Sequence, residues 1–557
     1  MSSEWHEELL SHDQQLLRHG LHIWVGGEPT FTRRESVAPE WTSSPLGGDK
    51  QERAQGLLLE LRARLAPGAA CGRAEGRSYG GEPEPRFAFA MKWRRGESSE
   101  GALPPDATEA LLQPPAPGPQ DCWLTVTPDP GVVEVNLHPC PDIMSYWRAL
   151  HACYESATAV GLSAHRHLYN GRRVDSGGGG QITFGGPSPE QSPFFRHPML
   201  LASLVRYLNA HPALSYWFAS ECVGSASQGP RPDEGVRELF GELCLALEHL
   251  PDDASPTLLQ QCLGPLLVDA SGNSHRAEVN IEKLWNPEHP RQGQLGAVEL
   301  RALAMPPTAE HGAAVAMLFR SLLARLCVAP FREPPKDWGA ELHDRFALPS
   351  VLRDDLDTVL ADLDAHGFGL GPAAQRRVRE RGEPLIETTL GAATLTISRA
   401  LEFWPLFGDV ASQEQRSSRL VDASTESLEL LEHGGDHPGS LVVDGRGVPL
   451  RPLPSGARVA GVRYRVYRPQ PGFHPTLSAL EPVEVDWYQA GQWRRITLHA
   501  WQPAGGAYAG LPSSNAEAQA RSAARVRVGA AAPRPAPPPT AASGCWRVDL
   551  RRPAPRE

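Results

Sequence analysis

Up to about residue 375 most apolar positions recur at helical spacing, interrupted by short stretches that alternate residue by residue. "DKQERAQGLLLELRARLAPG" sets Leu57, Leu58, Leu61 and Leu65 on one face and stops at Pro67-Gly68, which predicts a helix. "SPFFRHPMLLASLVRYLNAHP" offers Ser192 as a cap before Pro193, then a stripe of Leu201, Leu204, Val205 and Leu208. "AAVAMLFRSLLARLCVAP" repeats the pattern with Val315, Leu318, Leu322 and Leu326. All three stripes read as packing faces. From residue 376 the period changes to two. "GAATLTISRA", "SLVVDGRGVPLRPL", "GVRYRVYRP" and "VEVDWYQAGQWRRITLHAW" predict antiparallel strands joined by turns such as Asp444-Gly445.

This division predicts an α+β core over 1–375, a β-rich domain over 376–508 and an Ala/Pro-rich, largely disordered tail over 509–557. Inside the core, 97–120 reads as a Pro-rich linker, and 529–543 reads as polyproline-like.

Several short alternating stretches carry acids on one side. "PDPGVVEVNLHP" alternates Val133, Val135 and Leu137 with Glu134, Asn136 and His138. In a strand, successive side chains face opposite ways, so each set shares a face. "NSHRAEVNIEKLW" sets Glu278, Asn280 and Glu282 against Val279 and Ile281, and "GAVELRALAMPP" sets Glu299 and Arg301 against Val298 and Leu300. A sheet with one wet face produces such alternation by itself. Gathered acids, however, repel unless a cation joins them, and Mg2+ or Mn2+ held by Glu oxygens is one resolution. Arg276, Lys283 and Arg301 beside them suit phosphate oxygens.

Glycine loops complete the inventory. "HIWVGGEPTF" predicts a strand, His22 to Val25, running into a Gly26-Gly27 turn that delivers Glu28. "GRSYGGEPEPRFA" repeats the form with Glu82 and Arg86. "NGRRVDSGGGGQITFGG" places Arg172 and then Gly177, Gly178, Gly179 and Gly180 just before Gln181 and a strand. Each glycine in regular structure costs roughly 0.5–1 kcal/mol relative to alanine, so such a run marks slack or a close backbone approach. Acids, cations and backbone N–H groups together suit phosphoryl transfer.

Composition narrows the class. The chain of 557 residues suits about two to four domains. A formal charge of −11 argues against nucleic-acid binding. No apolar run reaches the roughly 18 residues of a membrane span, and the polar N-terminus lacks a signal core. The nine cysteines form no C-x-x-C pair, which predicts reduced thiols and a cytoplasmic protein. There is no G-x-x-x-x-G-K-[ST] loop and no readable Cys-His-Asp set.

"GGEPTF", "GGEPEPRFA", "TPDPGVVEVNLHP", "SQGPRPDE", "LLVDASGNSHRAEVNIEKLW", "LGAVELRALAMPP", "LHDRFALP" and "VAGVRYRVY" resemble, in order, the bacterial amidoligase family found attached to transglutaminase-like proteins. The resemblance spans about residues 10 to 500. It implies a glutamine-synthetase-like α+β fold: a curved antiparallel sheet with helices behind and a polar face holding ATP and Mg2+ (or Mn2+). It further implies an ATP-dependent carboxylate–amine ligase acting through an acyl phosphate on small-molecule or peptide substrates. On that reading Glu28, Glu134, Glu278 and Glu299 hold metal, Arg276, Lys283 and Arg301 are catalytic, and Arg172, Gly177 to Gly180 and Gln181 hold nucleotide. Transglutaminase-like or ATP-grasp proteins would be partners, with neither nucleic acid nor membrane involved. The chain departs from the family where Gln181 replaces a loop histidine, Gly180 an asparagine and Ala304 an acid. A non-catalytic binding protein of the same fold is the alternative expectation.

Overall fold

The computed structural model describes residues 3–33, 48–75, 87–94, 121–287, 293–406, 421–435, 437, 439–466, 474–506, 508–531 and 544–553. Its first half is built on the strands β1 (Trp24–Phe31), β2 (Ala70–Glu75), β3 (Phe87–Arg94), β4 (Asp121–Asp129) and β5 (Val132–Asn136). A small hairpin follows, β6 (His165–His167) with β7 (Arg173–Asp175), and then β8 (Gly180–Gly185). The last strands are β9 (Cys222–Val223), β10 (Val279–Asn280) and β11 (Val298–Leu300). Among the described residues, eight of these form one antiparallel sheet in the order β10-β11-β8-β1-β5-β4-β3-β2.

Alternation decides what each face carries. Val25, Val133, Val135, Ile182, Phe184, Val298 and Leu300 are buried on one side. Behind them pack α1 (Ser3–Arg18), α2 (Gly48–Leu65), α3 (Ile143–Ala159) and α6 (Ala309–Val328); α4 (Leu200–Ala210) and α5 (Glu282–Trp285) lie between these in sequence. Phe184 meets Phe319 of α6 with ring centroids 6.4 Å apart. By length and hydropathy α6 could cross a membrane, yet 83% of its apolar window is buried inside the protein, as a central core helix is.

Three local expectations change. The predicted helix after Ser192 is split: Pro193–Arg196 is capped by Ser192, and α4 starts afresh beyond Pro198, whose ring cannot continue a helix. Gly26-Gly27 is no turn, because β1 runs straight through it and Glu28 lies mid-strand opposite Gln181. A Cβ on Gly27 would come within 2.5 Å of the Tyr146 hydroxyl, so glycine there admits α3. The third change is in "EVNIE". The strand is only Val279–Asn280, because Asn280 Oδ1 accepts the Glu282 N–H at 2.8 Å and turns the chain into α5.

Among the described residues the second half forms two antiparallel-based sheets around a second apolar cluster running from Leu390 to Leu498. The expected strands are present as Ala393–Arg399, Ser440–Val443, Arg446–Val448, Arg458–Arg465, Val483–Gln489 and Gln492–Leu498. Asp444 and Gly445 both have positive φ, 45° and 78°, the backbone of a tight hairpin turn. The tail expectation needs correction. Within 509–557 lie a helix, α7 in the second half (Asn515–Ala524), and the strands Val526–Ala530 and Arg547–Asp549, which pair with Gln492–Leu498 and Arg458–Arg465. The segment 97–120, residues 532–543, and Glu82 and Arg86 lie outside the described residues.

The halves touch beside the glycine loop. The β6–β7 turn is gripped by the C-terminal part: Asn170 Nδ2 donates to Ala500 O at 3.1 Å, and the Arg521 guanidinium donates to Tyr169 O at 2.8 Å. Gly171, at φ +81°, lies so close to Ala518 O that no side chain would fit.

Candidate active site

The polar face of the sheet gathers charge from three strands, β1, β5 and β11, and from α5. Glu28 pairs across β1–β8 with Gln181, and Glu299 pairs across β11–β8 with Thr183. Lys283, at the start of α5, reaches over both acids. Its Nζ donates to Glu28 Oε1 at 3.1 Å and Glu299 Oε2 at 2.8 Å. Arg301 takes the other oxygen of Glu299. Burial alone would push the Glu299 carboxyl up, but Lys283 and Arg301 outweigh it and hold it below its usual range. Burial pulls the Lys283 ammonium down, and Glu28 and Glu299 more than reverse that.

Glu134 joins this face from β5, opposite Thr30, and accepts a bond from Asn136 Nδ2 at 2.9 Å. Burial, then the charges of Glu28 and Asp129, push its carboxyl up to about 8. Glu28, Glu134 and Glu299 are thus brought together, Glu134 and Glu299 by the alternation of their strands and Glu28 from mid-strand rather than from a turn.

The glycine loop is committed internally. The N–H of Gly177 donates to Asp175 Oδ1 (3.1 Å), that of Gly178 to Ser176 Oγ (3.4 Å) and that of Gly180 to Leu303 O (3.0 Å). Three of the four N–H groups expected to cradle phosphate therefore already have acceptors. The loop needs glycine for closeness instead: a Cβ on Gly178 would stand 2.9 Å from Thr30, and one on Gly179 2.6 Å from the Gln228 amide. Thr30 Oγ1 is 2.6 Å from both Ser176 Oγ and Gly179 O, so β1 pins the loop.

Glu278 stands elsewhere. Its carboxylate accepts from Ser215 and lies beside Arg231, whose guanidinium holds Asp233 at 2.8 Å and bonds the carbonyls of Leu208 and Asn209. Burial, opposed by Arg231 and Ser215, pushes the Glu278 carboxyl up to about 7. Arg276 donates to Ser227 O at 3.3 Å, and Arg172 pairs with Glu221 at 2.7 Å beside the gripped turn. The side chains missed in the sequence are Thr30, Gln228, Arg231 and Asp233. "SQGPRPDE" contains the last three, but an Arg two residues from an Asp has no chemical signature until the fold buries both.

The four glutamates expected to hold metal do not make one donor set. Among the described residues no group of three or more His, Cys, Asp and Glu could hold a metal ion. Lys283 spans two of the four, and Glu278 is engaged with Ser215. What the site leaves open are two buried polar atoms without partners among the described residues: Gln181 Oε1, an acceptor, and Arg301 Nε, a donor. Unpaired buried polar groups are costly in a folded chain, so each calls for a partner or a role.

The family described as "Putative amidoligase enzyme (DUF2126)" matches residues 4–100 and 112–550, so the chain belongs to that family. Two solved structures are similar to it, "Crystal structure of novel glutamine synthase homolog" and "Apo GmaS without ligand". Each is 13% identical, with 67% of this chain and 70% of the other covered and a TM-score of 0.29. No curated protein matches.

Proposed function

We propose that the protein is an ATP-dependent carboxylate–amine ligase working on the polar face of the first sheet. The observation that carries this reading is the row Glu28–Lys283–Glu299–Arg301, convergent from β1, α5 and β11, with unpartnered Arg301 Nε and Gln181 Oε1 beside it. In the first step a substrate carboxylate oxygen attacks the γ-phosphorus of ATP and ADP leaves, giving an acyl phosphate. In the second an amine attacks the acyl carbon, phosphate leaves and an amide forms. Arg301 Nε would donate to the phosphate oxygens in both steps, where charge neutralisation does most of the work. Gln181 Oε1 would accept an N–H of the incoming amine. The glycine loop lies beside this row, with three of its four N–H groups engaged. Mg2+ or Mn2+ would enter with the nucleotide as part of the substrate, meeting Glu134. Peptide or amino-acid substrates, a cytoplasmic setting and a transglutaminase-like or ATP-grasp partner belong to the same proposal.

The test is ATP hydrolysis coupled to amide formation, with a panel of amino acids and peptides at saturating Mg2+. Turnover that needs both an amine and a carboxylate supports the reading. A second reading, a non-catalytic binding protein, draws on the three committed loop N–H groups and on Gln181 standing where the family resemblance implies histidine. ATP binding by calorimetry without turnover of any pair in the panel would favour it.

A further inference from the structure

We infer that the Lys283 ammonium is this chain's own substitute for a bound cation: it fills the seat between Glu28 and Glu299 that a metal ion would otherwise take. The two carboxylates come from β1 and β11, which are not neighbours, since β8 lies between them. Strands spaced about 4.8 Å apart put their backbones nearly 10 Å from each other. Both side chains nevertheless lean over β8 to one point, and that point is Lys283 Nζ.

Charge closes locally. Lys283 and Arg301 bring two positive charges against the two of Glu28 and Glu299, so a divalent ion entering here would meet a neutral set unless Lys283 withdrew. Mg2+ and Ca2+ also require about six or more oxygens at roughly 2.0–2.6 Å. This seat offers carboxylate oxygens from two residues, one of them shared with a guanidinium, so the ammonium leaves too few, and once it is removed water must complete the shell.

The lysine is held from behind as well. Its carbonyl accepts the N–H of both Leu295 (3.0 Å) and Ala297 (3.2 Å), tying α5 to the chain that enters β11. The Asn280 turn sets where α5 begins. The ammonium is therefore delivered by backbone structure to its two acids. Its side chain is 40% exposed while Glu299 is 2% exposed, so it closes the seat from the solvent side.

Calorimetric titration of Mn2+ alone into the full chain, without nucleotide, tests this independently of any ligase activity. Wild type and Glu28→Gln should bind Mn2+ alike. Lys283→Met, which keeps length and removes charge, should gain a site at least about tenfold tighter. Adding Glu299→Gln to Lys283→Met should abolish the gain, and Mn2+ should raise the melting temperature of Lys283→Met but not of wild type. A wild-type Mn2+ site weakened by Glu28→Gln would overturn the inference, as would a folded Lys283→Met that gains no affinity. If Lys283→Met does not fold, the wild-type and Glu28→Gln pair decides alone.

Discussion

Two regions hold nearly the same residue types and do different things with them. On the sheet face, Glu28, Glu299, Lys283 and Arg301 meet with Lys283 open to solvent and two polar atoms nearby unpartnered. Below α4, Arg231, Asp233 and Glu278 are closed: Arg231 and Asp233 side chains are 1% and 3% exposed, and the Arg231 guanidinium finds carboxylate and carbonyl acceptors on every nitrogen. Composition cannot separate a site from a strut. Solvent access and unspent hydrogen-bonding capacity can.

The sharpest break in the comparison is Arg231→Ala. Removing one partner of a buried pair strands the other charge, at a cost of about 3–5 kcal/mol. Lys283→Met should cost about 1 kcal/mol or less, because its site is part exposed and Glu299 keeps Arg301. Urea denaturation of both variants measures the contrast, and equal losses would erase it.

Glu134→Gln acts on function instead. It should lower amide-forming turnover by about a hundredfold or more while leaving the melting temperature nearly unchanged. Unaltered turnover would make the acidic face an ordinary wet surface.

The pH response separates the front of the sheet from its back. Burial, and then Arg377, hold His311 on α6 down at about 4, and burial also lowers His12. A folded-state value below the unfolded 6.5 means that the neutral ring's stability is present above pH 6.5 and is lost as pH falls toward 4. Between pH 6.5 and 5 the His311 share is at most about 2 kcal/mol. Thermal melts at these two pH values should show a smaller acid loss in His311→Gln than in wild type. The same loss in both would place the titrating group elsewhere.

The smallest expected effect is a gain. Gln181→His should leave turnover equal or raise it up to about tenfold, since an imidazole accepts a proton where a carboxamide cannot. A fall in turnover with the fold intact would show the carboxamide itself to be required.

Much of this arrangement was legible before any coordinates. Val133/Glu134/Val135/Asn136 and Val298/Glu299/Leu300/Arg301 keep strict alternation because each strand has one face against helices and one against charge. Glu278 and Glu282 leave the row for local reasons: Ser215 and Arg231 hold Glu278 from the other side, and the Asn280 side chain ends the strand so that Glu282 turns to Ser274 and His275. The glycine run marked closeness correctly but not its object, since Thr30 and Gln228 are distant in sequence. Residues 515–530 looked structureless by composition. Their order depends on a sheet edge and a turn made elsewhere.

That grip on the β6–β7 turn has a consequence for how the chain can be divided. From Gly171, three strand residues lead to Ser176, whose hydroxyl locks onto Thr30 and so sets the glycine loop. A protein ending at residue 508 would retain every residue of the charged row but lose Arg521 and Ala518 from under that turn. The C-terminal half is thus no interchangeable appendage: swapping it between relatives, or clipping it by protease, reaches the loop beside Gln181 without touching a single charged group there.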